Sequence, residues 1–417
     1  MPSLKLFVLI LPLIILPLVS PQPYKTLVAP IRKDAATSLY TITLNSHHHY
    51  VIDLTAPFSW LNCSSLPQVP LVVCHSPPCA EAQSYPSPPP CGPQPTTFGP
   101  IHTSLLPCTC SVTPVNPVTK SCAAGSRLTY TTVNLRRTDG LNPTTRAILR
   151  GVYLSCAPSK LFRSLPNHAY GLASFSSSPL SFPSQFTLPS LGIANKFAIC
   201  LPRTASFPGV TFFGDGPYYF PTDLDVETIL TYTPLLTKPN CPDFFIGVNS
   251  IAIDGKSIPV TISNTPTKFS TVVPYTTVRS DVYKLLKKRF RRGRDLTGKP
   301  RVNRVKPFDL CWNASTLGNS RLGLFVPWID LELGNGQNWT IFGENSMKQI
   351  GNIGNAACLA FVNGGEINGG SAVVIGSYQM ENNFLLFDME KSRLGFSSSL
   401  FFIRTTCGNF NFTTTTK

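Results

Sequence analysis

The distribution of cysteine is the feature of this 417-residue chain that most constrains its fold. Seven of the 13 cysteines lie between Cys63 and Cys122, in a segment rich in Pro, Ser and Thr that cannot bury a core of its own. Disulfides stabilise such segments in oxidising compartments, so we predict a disulfide-rich protein. The odd number leaves one thiol free or paired between chains, and several connectivities fit the spacing.

Two groups of residues suggest a metal site, and we favour neither. Cys108 and Cys110 could bind zinc with His102 or His75, but one residue between the cysteines is not the usual zinc spacing. The run at 47–49 is three histidines placed just before an apolar strand, where a hairpin is expected. We therefore predict no metal site and no cofactor.

The N-terminal segment predicts export. Residues 1–20 contain one Lys and then an apolar run interrupted by Pro12 and Pro17, which is typical of a secretory signal. A single-pass anchor is the alternative, and no later stretch is long and apolar enough to cross a bilayer. Four sequons agree with an exported glycoprotein: Asn62, Asn313, Asn338 and Asn411.

Composition and patterning predict a mostly β protein. With 42% hydrophobic residues the chain can bury a large core, and 13% charged residues exclude a coiled coil. Short apolar runs such as Leu39–Leu44 recur between Gly, Pro, Asn and Ser, which is typical of strands. Helical patterns are few, and the best extends from Thr277 to about Phe290. The length accommodates two domains or one large β-rich unit.

Much of the net charge of +15 lies in one segment, because 11 Lys or Arg residues fall between Lys284 and Lys306. Its densest part is Lys287, Lys288, Arg289, Arg291, Arg292 and Arg294. Pectin, another anionic wall polymer or an acidic enzyme surface would suit this charge. A processing site and a plain solvated loop are the alternatives. We expect no nucleic-acid partner, since no stacking motif accompanies the basic run.

The segment around Asp53 resembles the N-terminal active-site loop of pepsin-like aspartic proteases. Two apolar strand residues precede Asp53, Thr55 follows two positions later, and an aromatic residue comes at Trp60. The end of the chain has the order that closes pepsin-like proteases: Ala372–Gly376, then Phe387–Asp388, then Arg393–Phe396.

The second carboxylate that these proteases require is missing. They activate water between two carboxylates that share one proton. Ser270 occupies the position expected for the second Asp, and Leu54 and Thr55 replace the usual Thr/Ser and Gly of the first loop. We therefore predict that the chain does not hydrolyse peptides and that Asp53 is a hydrogen-bonded loop residue.

Six further motifs narrow the resemblance: Ser155–Ser159, Asn195–Pro202, Phe212–Tyr218, Leu230–Leu236, Ser270–Tyr275 and Arg404–Phe412. Together they resemble the plant xylanase-inhibitor and basic 7S globulin family, in particular its carrot extracellular dermal-glycoprotein branch. The resemblance implies a bilobal pepsin-like fold with two β-barrel-like lobes. It also implies that the protein is secreted into the apoplast and cell wall. It divides the chain into an N-terminal lobe at 21–199, with a Cys-rich insertion at 63–122, and a C-terminal lobe at 200–417.

The resemblance also implies which cysteines form disulfides. The expected set is Cys63, Cys74, Cys79, Cys91, Cys108, Cys110, Cys156, Cys200, Cys311, Cys358 and Cys407. Cys122 and Cys241 fit the family framework poorly, and one expected cysteine of the N-terminal cluster is missing. A rearranged bridge or a free thiol is therefore expected.

The resemblance implies that the chain binds and inhibits microbial glycoside hydrolases. These enzymes use a pair of carboxylates, and an inserted Arg side chain can form ion pairs with them and exclude the substrate. Arg321, within Gly318–Gly323, matches one inserting position, and Gly369 falls near a second that carries Arg in inhibitory relatives. Glu366, three residues earlier, carries a negative charge that a cleft lined by carboxylates would repel. We expect a monomer. Two other functions are the alternatives to inhibition: a storage or extracellular signalling globulin that binds a peptide hormone, and an active aspartic endopeptidase with an unusual dyad.

Overall fold

The structure is a computed structural model that describes residues 25–65, 69–87, 91–92, 108–187, 191–220, 224–260, 262–263, 265–351, 355–366 and 370–413. The predicted signal at 1–20 and Gly369 lie outside these residues. The described part of the chain is mostly strand, as the short apolar runs predicted. No helix within it is long and apolar enough to cross a membrane.

The first half of the chain supplies ten strands and two helices. The strands are β1 (Thr26–Lys33), β2 (Tyr40–Leu44), β3 (His48–Asp53), β4 (Trp60–Leu61), β5 (Ser111–Val112), β6 (Ser126–Thr138), β7 (Pro143–Cys156), β8 (Ala169–Ser174), β9 (Lys196–Cys200) and β10 (Gly209–Phe213), and the helices, as counted over the described residues, are α1 (Pro77–Gln83) and α2 (Phe182–Phe186).

The second half is built from shorter strands. They are β11 (Thr231–Lys238), β12 (Cys241–Ile246), β13 (Val248–Ile253), β14 (Lys256–Ser257), β15 (Thr267–Phe269), β16 (Thr276–Val278), β17 (Arg301–Val302), β18 (Cys311–Asn313), β19 (Asn319–Ser320), β20 (Gly323–Leu324), β21 (Ile329–Leu333), β22 (Asn338–Ile341), β23 (Met347–Ile350), β24 (Ala356–Leu359), β25 (Phe361–Asn363), β26 (Val373–Ile375), β27 (Phe384–Asp388) and β28 (Arg393–Phe396). The helices here are α3 (Ser280–Phe290), α4 (Gly343–Ser346) and α5 (Ser377–Met380).

The predicted start of the long helix was wrong by three residues. The helix α3 begins at Ser280, and the preceding Thr276–Val278 forms β16. This strand pairs in parallel with β25 and antiparallel with β26. The two threonines and the valine are β-branched, so a pleated surface suits them better than the first turn of a helix.

An antiparallel run of strands joins the two halves in the order β6, β1, β10, β9, β27, β28, β11 and β12. At its centre β9 pairs with β27, and the rings of Phe197 and Phe387 stack with centroids 4.7 Å apart. Both side chains are buried. Burial of one such side chain contributes about 1.5–3 kcal/mol, so this sheet holds the halves together.

One arrangement of strands occurs twice and positions the candidate site. In the first half β3 pairs in parallel with β8, and β4 lies antiparallel to β8 and parallel to β7. In the second half β15, β16, β26 and β25 repeat these pairings. Asp53 is the last residue of β3, and Ser270 directly follows β15. The repeat therefore brings both residues to equivalent strand ends.

Six disulfides use 12 of the cysteines. The bridges join Cys63 to Cys156, Cys74 to Cys108, Cys79 to Cys110, Cys91 to Cys122, Cys200 to Cys407 and Cys311 to Cys358. Three of them lie within the Cys-rich insertion, which agrees with its predicted need for covalent support. The omission of Cys122 from the expected set was wrong, because the fold brings it to Cys91. Cys241 is the free thiol.

Candidate functional site

Asp53 is held at the end of β3 by its own loop. Its side chain is 2% exposed, and Oδ1 accepts hydrogen bonds from the Thr55 amide at 2.9 Å and the Thr55 hydroxyl at 2.7 Å. Burial raises the pKa of the Asp53 carboxyl, and the two bonds from Thr55 offset part of that effect. The residue has the hydrogen-bonded loop role that the sequence predicted.

Ser270 and Thr271 form the opposite loop. Ser270 is 5% exposed, and its hydroxyl oxygen accepts bonds from the amides of Val272 at 3.3 Å and Val273 at 3.1 Å. The Thr271 hydroxyl donates across the molecule to the carbonyl of Ile52 at 2.6 Å. The loops are thus in direct contact. At the equivalent place on the first loop, Leu54 is fully buried and offers no hydroxyl for a reciprocal bond.

A cavity of about 610 Å³ opens beside Asp53. Its walls carry aromatic rings, prolines and a few polar groups; the lining includes Asp53, Phe58, Trp60, Tyr85, Thr113, Cys241, Asp243 and Lys268. Ser270 is absent from the lining that the described residues provide. The cavity therefore presents the Asp53 carboxyl without the Ser270 hydroxyl.

Sequence reasoning missed the residues that the second half contributes to this cavity. Asp243 and Lys268 form an ion pair across the adjacent strands β12 and β15. No sequence signal points to either residue, because both lie far from Asp53 along the chain. Cys241 lies beside the pair, and burial raises the pKa of its thiol.

Arg321 lies at the tip of a two-stranded hairpin. Strands β19 and β20 pair at Asn319 with Leu324 and at Ser320 with Gly323. The Ser320 hydroxyl accepts a bond from the Leu322 amide and donates one to the Gly323 carbonyl, both at 3.1 Å. The Arg321 side chain is exposed, and its Nη1 donates to the Phe401 carbonyl at 3.4 Å. No carboxylate of the described chain forms an ion pair with it.

The tip of this hairpin is fixed against α4. The Glu344 amide donates to the Leu322 carbonyl at 2.8 Å. Gly323 has φ 93° and lies so close to the Glu344 backbone that a Cβ there would overlap it. Glu344 in turn forms an ion pair with Arg203 at 2.5 Å. Local contacts thus hold the tip that carries Arg321 in one position.

The other predicted site residues lie elsewhere on the surface. The basic segment occupies the outer side of α3 and the chain that follows it, and nothing is described for the Arg294 side chain. Asn338 and Asn411 are exposed and Asn62 and Asn313 are half-buried, so glycosylation at these positions stays a prediction.

The alternative zinc site was wrong, because Cys108 and Cys110 are in disulfides. The described residues contain no cluster of His, Cys, Asp or Glu that could hold a metal ion.

Comparison with known proteins identifies the family. The xylanase inhibitor N-terminal model matches residues 37–215, and the xylanase inhibitor C-terminal model matches residues 243–398. The chain belongs to the xylanase-inhibitor and basic 7S globulin family. This confirms the family that the sequence motifs indicated.

Relatives of this family cover almost the whole chain. Chitinase CLP of Oryza sativa subsp. japonica is 39% identical over 93% of this chain and 92% of its own length. Gamma conglutin 1 of Prunus dulcis is 37% identical over 93% of this chain and 90% of its own. The crystal structure of edgp superimposes with a TM-score of 0.83 at 33% identity, over 94% of this chain and 99% of that one. The fold is therefore pepsin-like, as predicted.

Proposed function

We propose that this protein is a secreted, catalytically inactive relative of aspartic proteases that binds and inhibits microbial cell-wall glycoside hydrolases in plant defence. Membership of the xylanase-inhibitor family supports the class of partner. The observation that carries the proposal is Arg321, an exposed guanidinium on a fixed hairpin tip without a carboxylate partner in the described chain.

The chemistry suits a glycoside hydrolase cleft. Such clefts contain two carboxylates that flank the scissile bond. A guanidinium is planar, permanently charged and able to donate two parallel hydrogen bonds to a carboxylate. Because the hairpin is already ordered, little conformational entropy is lost when Arg321 enters the cleft.

The groups at Asp53 and Ser270 support the absence of protease activity. Aspartic proteolysis needs two carboxylates that share a proton, and the second loop offers the Ser270 hydroxyl, which already accepts two backbone bonds. We expect no cleavage of peptides at acid pH. Cleavage that a statine-type inhibitor blocks and that Asp53→Asn abolishes would overturn this part of the proposal.

The test is inhibition by the purified mature protein of a panel of microbial xylanases, xyloglucanases and endoglucanases. Inhibition of at least one enzyme is expected, and Arg321→Ala should weaken it by at least about 30-fold, the scale of an interface hot spot. Arg321→Lys should also lose most of the effect, because lysine lacks the planar fork. Arg150→Ala, which removes an exposed arginine of β7, is the matched control.

Two outcomes would contradict the proposal in different ways. If no enzyme of the panel is inhibited, the inhibitor function is wrong and a storage or signalling globulin is favoured. If inhibition occurs and Arg321→Ala leaves it unchanged, the function stands and the assignment of Arg321 is wrong.

A second candidate is hydrolysis of a polysaccharide, since one relative is named a chitinase. The observation in its favour is that Asp53 and Asp243 line one cavity and that burial raises the pKa of Asp53, as a general acid requires. Release of sugar from chitin oligosaccharides that is lost in both Asp53→Asn and Asp243→Asn would support it. The absence of any release would dismiss it.

A further inference from the structure

The basic segment is a folded surface. Between Lys284 and Lys306 there are 11 basic residues and a single acidic one, Asp295, so ten of the 15 net positive charges lie in this stretch. Three apolar side chains anchor the segment to the core, because Leu286, Phe290 and Leu296 are all buried. Anchors of this kind direct the charged side chains between them to the outer side of α3 and the turn that follows.

The exposed cations of this surface have little internal compensation. Lys284, Lys288 and Arg291 lie four and three residues apart, so they follow one face of the helix with about one charge per 5.4 Å turn. Within the described part of the chain, the only ion pair that the segment makes joins Lys287 to Asp309 at 3.5 Å. Like charges at this spacing repel each other, so an external anion would relieve the repulsion.

Further cations extend the row beyond the helix. Lys299, Arg301, Arg304 and Lys306 are exposed. Arg301 pairs across β17 and β18 with Trp312, whose ring lies 6.0 Å from the ring of Phe290 at the end of α3. This shared anchor places β17 next to the end of the helix. Arg301 therefore adds a cation on the strand next to the end of α3.

An exposed aromatic ring adjoins the end of this row. Gly293, just after α3, packs directly against Pro327, since a Cβ on Gly293 would overlap the proline ring. Trp328 is the next residue and is 43% exposed, and its Nε1 donates to Asp330 Oδ2 at 3.0 Å. That bond fixes the indole in place with one part of the ring in solvent. An amphipathic ring in this setting suits a partner with both polar and apolar faces.

We propose that the outer face of α3, the chain through Lys306 and Trp328 form a binding site for a polyuronate, an acidic polysaccharide with one carboxylate on each sugar. A regular row of cations matches a regularly repeated anion, and arginine pairs well with carboxylates. The C–H face of a sugar ring packs on an indole. Non-specific binders of single-stranded nucleic acid instead place several aromatic rings along the groove. The site does not include Arg321, so it is independent of the proposed inhibition.

The test is binding of the full mature protein to polygalacturonate at several NaCl concentrations. Affinity should fall linearly with salt on a log–log plot, and methyl-esterified polygalacturonate, which lacks the charge, should not bind. The fourfold variant K284Q/K288Q/R291Q/R292Q should lose about 100-fold or more in affinity, because each cation near a polyanion contributes about fivefold. The matched control R127Q/R136Q/R146Q/R150Q removes four exposed arginines of β6 and β7 and has the same net charge.

The control should stay within about threefold of the unmodified protein at each salt concentration. Trp328→Ala should weaken binding to polygalacturonate by about tenfold, the scale of a stacked aromatic ring, and leave binding to polyglutamate, a carboxylate polyanion without sugar rings, unchanged. An equal loss in the two fourfold variants would show that net charge alone acts and would overturn the site. Equal affinity for double-stranded DNA, or no effect of Trp328→Ala, would overturn the assignment to a polyuronate.

Discussion

Replacing Asp53 by asparagine tests whether the buried carboxyl destabilises the fold. The side chain is 2% exposed, and its Oδ1 accepts two bonds from Thr55 that an asparagine oxygen can also accept. The substitution therefore keeps the local hydrogen bonds and removes only the ionisable group. Any change of stability with pH that the two proteins do not share then belongs to Asp53.

The direction in which the stability changes with pH follows from the direction of the pKa shift. Burial raises the folded-state pKa of Asp53 above the ordinary value of 3.8, so the folded chain binds more protons than the unfolded chain between the two values. The free energy of unfolding then falls as pH rises through that window, by up to about 1.4 kcal/mol per pH unit. Well below pH 3.8 the carboxyl is protonated in both states, and well above the raised pKa the penalty is constant.

The assay is urea unfolding, with the disulfides intact, of both proteins at pH steps from about 3 to 8. The difference in free energy, unmodified protein minus Asp53→Asn, should decrease with rising pH and then level off. Thr55→Val, which removes the hydroxyl bond to the carboxylate, should move the levelling point to higher pH. A constant difference would show that folding does not shift the Asp53 pKa, and a difference that increases with pH would show that Asp53 is stabilised as an anion. Either result would refute the reasoning.

Three further predictions concern the described contacts. The folded, unreduced protein should contain one thiol reactive to maleimide, and Cys241→Ser should abolish the reaction. The rate should rise with pH because the thiolate is the reactive form, and the raised Cys241 pKa should move that rise to higher pH than for an ordinary thiol. Phe387→Ala removes a buried ring stacked on Phe197 and should lower the free energy of unfolding by about 3–5 kcal/mol, whereas Phe402→Ala, at a ring 55% exposed, should change it by less than about 0.5 kcal/mol. Thr271→Val should cost about 1–3 kcal/mol in urea unfolding, because the Ile52 carbonyl loses its cross-loop donor, and unchanged stability would argue against that bond.

The sequence predicted the features that depend on contiguous residues. Asp53 with Thr55, the β-rich pattern and the closing strand Arg393–Phe396 are each encoded within a few positions, so their local environments are visible in one motif. The start of α3 was the exception, because the pairing of β16 with β25 and β26 decides it and those strands lie more than 80 residues later.

The composition of the cavity was beyond sequence reasoning. Strand β12, which carries Cys241 and Asp243, reaches Asp53 only after the two halves fold together, and no periodicity connects positions so far apart. The Cys91–Cys122 bridge has the same sequence separation, 31 residues, as Cys79–Cys110. Spacing therefore cannot choose among partners, and only the folded insertion decides which sulfurs meet.

The way in which the Arg321 hairpin is anchored has a consequence for how such a protein can change its target. The bonds that hold the hairpin involve backbone atoms at Leu322 and Gly323 and the backbone of Glu344, whereas the side chain at 321 contributes little to them. The fold at the hairpin thus depends on backbone atoms, whereas the proposed contact with an enzyme depends on the side chain. New side chains at the tip can be sampled without loss of the scaffold, so under the proposed function one fold can follow a succession of changing enzymes, and the same two-residue tip offers a place to graft a different specificity.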